Sequence, residues 1–91
     1  MTVTNLHVEE QRQRVASLLD AVAEGRLSSA EALACTEQWT DVPWNEKVFA
    51  DAYHALQHFE ADADIRAKDA EYAKSQIAGL RSFSAKLLKI G

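Results

Sequence analysis

Three glycines and one proline in 91 residues leave this chain few places to turn. A sandwich or barrel of many short strands needs more punctuation than that. Alanine, glutamate and leucine, all good helix formers, are plentiful, so the expected class is all-α. Hydrophobic residues at 47% and charged residues at 26% are globular proportions, not those of a disordered chain. The length suits a single helical domain, 1–91, with a modest core.

Apolar spacing predicts four helices. The first starts at Thr4 or Asn5, both good N-caps, and carries Val8, Val15, Leu18, Leu19 and Val22 on one stripe. Gly25 ends it in the C′ position. Ser28 and Glu31 form a capping box for a short second helix, with Leu27 as its staple. Ala32, Leu33, Thr36 and Trp39 would face inward from it. Thr40-Asp41-Val42-Pro43 stops that helix, since the residue before proline avoids the helical region, and Asp41 is a natural cap for the next.

The third helix is expected from about Pro43 or Trp44 through Phe59 at least. Its Val48, Phe49, Ala52, Leu56 and Phe59 fall within a sector of roughly 100°. Asp62 or Asp64 would cap a fourth helix bearing Ile65, Tyr72, Ala73, Leu80, Phe83, Leu87 and Ile90. Were Ala-Asp-Ala-Asp to continue unbroken, helices three and four would merge into one of about 45 residues, which favours a dimer. The expected architecture is a small antiparallel four-helix bundle with a short second helix.

Charge is divided along the chain. Residues 1–64 hold 12 acidic and 4 basic side chains, a net of −8, and residues 65–91 hold 2 acidic and 6 basic, a net of +4. Such a split suits helices that attract one another, or an acidic face shown to a basic partner. The basic residues of the last helix spread around it instead of forming a stripe, and the whole chain is at −4, so nucleic acid is not the expected partner. The single cysteine, Cys35, has no intramolecular disulfide partner and reads as a small packing residue. With no secretory signal pattern and no apolar run near 18 residues, the expected location is the cytoplasm, away from membranes.

The densest potential chemistry lies in residues 51–64, which hold two of the three histidines and four carboxylates. His54 and His58, four apart on a helix, have a spacing at which two imidazoles can share a metal. On the helical wheel they lie roughly 130–170° from the apolar sector and point to water. His54 and Asp62 are about 12 Å apart along the axis, so they cannot serve one ion together. A solvated face with ion pairs is the simpler reading, and no metal or other cofactor is expected.

Glu60, Asp62 and Asp64 lack the glycine and closing glutamate of a calcium loop, since Ile65, Arg66 and Ala67 follow. Helix capping and an acidic docking corner are the two readings of these carboxylates. Asp69 and Gln76 sit on the same wheel side as Tyr72 and Leu80, as a hydrogen-bonded register device, as a helix edge close enough to water, or as polar elements of a pocket or oligomer seam. Trp39 and Trp44 flank the Pro43 turn as core covers with their N–H groups near the rim, or as interface anchors. No phosphate loop, dinucleotide fingerprint, nucleophile elbow or metalloprotease helix is present, and no enzymatic activity is expected.

Phe59-Glu60-Ala61-Asp62-Ala63-Asp64 resembles the small helical immunity proteins of the colicin D type. Those are acidic four-helix bundles of similar length that block a basic toxin nuclease. The resemblance implies an immunity- or antitoxin-like role in which this acidic corner meets a basic protein. The expected function is therefore a cytoplasmic interaction module, with Asp51, Glu60, Asp62 and Asp64 as candidate partner-binding residues. The alternatives are a structural homo-oligomer, a homodimer included, or a metal-binding bundle on His54 and His58.

Overall fold

A computed structural model describes residues 2–88, with side chains from Glu9 onward. The chain forms α1 (Thr2–Ala23), α2 (Ser29–Gln38), α3 (Lys47–Ala61), α4 (Ala63–Lys68) and α5 (Ala70–Leu88). No strand occurs among the described residues, so the protein is all-helical there. The expected count of four is corrected to five among those residues, because a second break at Asp69 divides the fourth helix. Breaks at both Asp62 and Asp69 also rule out the merged long helix.

α1 begins at Thr2, ahead of the expected Thr4 or Asn5 start, and the side chains proposed as its cap lie outside the described set, as do Val8 and Ile90. Its C-terminus closes as the sequence predicts. Gly25, at φ 78°, donates to Val22 O at 3.1 Å, and Arg26 N donates to Ala21 O at 2.9 Å. That pair of bonds is the Schellman motif, and its left-handed residue favours glycine. Beside it, the Glu24 carboxyl is held below its ordinary value, chiefly by the hydrogen bond from Arg26, with the Arg81 charge adding to it.

The capping box forms at α2: Glu31 N donates to Ser28 Oγ at 3.1 Å, and Ser28 N donates to Glu31 Oε1 at 3.2 Å. The start of α3 differs from expectation. Pro43 and Trp44 stay outside it, and its N-cap position is Glu46, which makes no side-chain capping bond. Trp44 N donates to Val42 O at 2.8 Å, Glu46 N donates to Pro43 O at 3.0 Å, and Trp44 Nε1 donates to Trp39 O at 3.0 Å. These bonds hold 39–46 as a folded connection and delay the helix. Asp41 does not cap it; its carboxylate accepts from Gln11 Nε2 at 2.7 Å and meets Arg14 at 3.5 Å, tying the connection to α1.

One core cluster joins Val15, Leu18, Leu19 and Val22 of α1, Ala32 of α2, Phe49, Ala52 and Leu56 of α3, and Leu80 and Leu87 of α5. α5 packs most extensively on α1 and next on α3. Arg12 Nη1 donates to Leu87 O at 3.4 Å, Ser84 Oγ donates to Ala16 O at 3.2 Å, and Arg81 pairs with Glu24 at 3.8 Å. Partners descend along α5 as they ascend along α1, so these two helices run in opposite directions. Arg81 and Glu24 bring opposite charges together at one end of this seam. α4 buries no side chain.

Gly79 sits inside α5, yet a Cβ built there would meet nothing within 4 Å. Glycine in a helix interior gives up about 0.5–1 kcal/mol relative to alanine. Gly79→Ala is therefore expected to raise stability by about that amount, read as a higher denaturation midpoint at unchanged slope.

Candidate functional site

α3 positions all the residues singled out between 51 and 61, and it divides them between two flanks. Asp51 faces the α5 side and is paired with Lys47 at 3.0 Å, one turn earlier. Glu60 faces α2, where it accepts a hydrogen bond from Ser29 Oγ. Asp62 turns back toward α5, accepting from Tyr72 Oη at 2.6 Å and Gln76 Nε2 at 2.9 Å. Asp64 is exposed in the first turn of α4 and makes no hydrogen bond or ion pair with the described residues. The four carboxylates do not form one corner.

Asp62 takes the expected N-cap position of α4, but neither its side chain nor that of Asp64 makes a capping bond. Asp69 does: its Oδ1 accepts from Glu71 N at 3.0 Å and Tyr72 N at 3.1 Å and so starts α5. Asp69 is exposed, in keeping with its reading as a helix edge close to water. The signal of an aspartate ahead of an acidic first turn is present at Asp69-Ala70-Glu71 and equally at Asp62-Ala63-Asp64, so the local sequence does not choose between them. The other member of the pair, Gln76, is hydrogen-bonded across the helices, in keeping with its reading as a register device.

Around Asp62 the chain builds a polar knot between α3, α4 and α5. Arg66 donates to Phe59 O, a carbonyl in the last turn of α3, and to Gln76 Oε1 at 2.8 Å, while its guanidinium lies 3.5 Å from the Phe59 ring centroid. A cation at a helix C-terminus satisfies carbonyls that the helix leaves open. The Tyr72 hydroxyl is pushed above its ordinary pKa of 10.0, first by its bond to Asp62, then by burial and by the Asp62 charge. Because the folded pKa is raised, stability from this bond is complete below pH 10.0 and is lost as pH climbs past the folded value. Phenolate absorbance should show one tyrosine ionising late, and Asp62→Asn should return it toward the ordinary range; two tyrosines titrating together in the wild type would refute this.

His54 and His58 are both exposed, and each lines a groove between α3 and α5. Among the described residues no group of three or more His, Cys, Asp or Glu is placed to hold a metal ion. The groove encloses about 300 Å³; Ala55, Phe59, Leu80 and Phe83 make its apolar surface, and Gly79 also lines it. Asp51, His54, His58 and Gln76 supply its polar groups. Lys86 lies 5.1 Å over the Phe83 ring, and Arg66 lies over Phe59, so each ring already carries a cation. The helical wheel turns the histidines outward but does not reveal the groove, which needs α5 alongside.

On the α2 side of α3, Tyr53 joins the two tryptophans. Its ring centroid is 5.7 Å from that of Trp44, which also meets Phe49 edge-on at 6.3 Å. Both tryptophans are half-buried, and Trp44 satisfies its N–H on the Trp39 carbonyl. No helix of the described residues is long and apolar enough to cross a membrane. Compared with known proteins, the chain matches no family model, no curated protein and no solved structure.

Proposed function

We propose that this chain is a non-catalytic interaction module whose α3 surface receives an amphipathic, basic segment of another protein. The observation that carries it is the α3/α5 groove with Gly79 in its lining. Gly79 costs helix stability, and no close approach within the described chain calls for it. Its missing side chain keeps the groove open beside Phe59, Leu80 and Phe83, a surface suited to an apolar anchor. Asp51 on the rim and the −8 of residues 1–64 supply complementary charge for basic flanks. An immunity- or antitoxin-like role in the cytoplasm, with a basic toxin as partner, is the form of this reading that the 59–64 segment suggests.

Affinity capture from the source cells tests it with two variants. Gly79→Leu fills the groove without weakening the helix, and the combined Asp51→Asn, Glu60→Gln, Asp64→Asn variant removes charge while leaving the Asp62 knot intact. Each should reduce recovery of the same partner several-fold at unchanged helix content, and the charge variant should flatten the salt dependence. Wild-type recovery by both would refute the reading.

A further inference from the structure

A second cavity, of about 290 Å³, lies between the C-terminus of α2 and the opposite flank of α3 from the groove. It is lined by Thr36, Glu37, Trp39, Thr40, Trp44 and Tyr53. Three aromatic rings and one carboxylate therefore share a small open space. Trp44 and Tyr53 meet at an interplanar angle of 52°, making a corner, and Trp39 lines the same cavity without stacking on either ring.

Aromatic faces carry negative potential and attract cations, most strongly when water is excluded. Trp39 already shows this behaviour: the Arg14 guanidinium lies 5.0 Å from its ring centroid. Arg14 does not fill the cavity. It lines a different one on α1 and pairs with Asp41 at 3.5 Å. The C-terminal end of a helix adds partial negative charge, and the last turn of α2 carries no basic residue to neutralise it. Glu37, in that same turn, brings a full negative charge to the cavity.

The polar groups there are largely committed. Trp44 Nε1 donates to Trp39 O, and Thr36 Oγ1 donates to Leu33 O at 2.6 Å. A bare ammonium or guanidinium would need acceptors for each of its N–H groups. A fully methylated ammonium needs none, and presents methyl groups to the rings. We propose that the Trp39–Trp44–Tyr53 cavity, with Glu37 at its edge, binds the quaternary ammonium head of a small organic cation. This is separate from the α3/α5 groove and does not depend on the partner proposed for it.

The test uses the full chain, with the two tryptophan indole N–H signals followed by NMR. Tetramethylammonium and choline should each shift both signals saturably. The uncharged carbon isostere of choline, 3,3-dimethylbutan-1-ol, should bind several-fold more weakly, the factor expected for a cation–π contact in an open cavity. Glu37→Gln, at an exposed position, and Tyr53→Leu should each weaken choline binding several-fold, while choline protects neither variant from denaturant as it does the wild type. Co-sedimentation with phosphatidylcholine vesicles separates a membrane headgroup from a dissolved solute as the source of the cation. Absence of a saturable shift, equal binding of the isostere, or unchanged affinity in both variants would overturn the proposal. None of these outcomes bears on the groove.

Discussion

Phe49→Ala will remove a third or more of the protein's stability. Phe49 is fully buried in the first turn of α3, where it packs among Leu19, Leu56 and the other members of the core and meets Trp44 edge-on at 6.3 Å. Truncating a buried phenylalanine costs about 3–5 kcal/mol in lost burial and residual cavity. A chain of this length has roughly 5–14 kcal/mol of stability in all, so the loss takes a large share of it. Urea unfolding followed by circular dichroism should show the midpoint falling by a third or more. Phe49→Leu, which keeps most of the volume, should cost about 1.5 kcal/mol or less. A midpoint for Phe49→Ala within about 1 M of wild type, at equal slope, would mean that the aromatic connection at 39–46 can collapse into the space.

Much of this core is legible in the sequence because its spacing is local. Val15, Leu18, Leu19 and Val22 recur at helical intervals, and all four are buried. Gly25 and the Ser28–Glu31 box mark their helix ends because each is completed within a few residues. Contact over longer separations is what local patterns miss. Pro43 reads like the first residue of a helix, but Trp44 is held by the Trp39 carbonyl and Asp41 by Gln11 of α1, so the chain turns there first. Asp62 and Asp69 each precede a helical restart in sequence. Tyr72 and Gln76, ten and fourteen residues on, engage Asp62 and leave Asp69 to cap α5.

The same distinction separates the two candidate sites from the residues most conspicuous in the sequence. His54 and His58 stand out there, while the groove they line depends on Gly79, Leu80 and Phe83 in another helix. Tyr53, an unremarked neighbour of His54, becomes the third wall of the aromatic cavity once the connection folds Trp44 against it. Charge is legible as a total, but not as a surface. Partners on α2 and α5 engage Glu60 and Asp62 in opposite directions.

The α1–α5 seam carries the next largest expected effect. Ala16 and Ser84 are both almost fully buried where these helices meet, and Ser84 Oγ donates to the Ala16 carbonyl at 3.2 Å. A side-chain hydroxyl reaches a backbone carbonyl of another helix only if the two backbones lie close, which small residues permit. Ala16→Leu adds three carbons at that point and must either push the helices apart or force a poor rotamer, at about 1–3 kcal/mol. Ser84→Ala removes only the hydrogen bond and should cost about 1 kcal/mol. The two changes share one contact, so their costs should not add. Once the larger side chain has separated the helices, the hydroxyl has little left to lose, and the double variant should be less destabilised than the sum of the single ones. Denaturation midpoints of the four proteins measure this coupling. If Ala16→Leu costs no more than Ser84→Ala, or if the two effects add, the seam is not close-packed at this point.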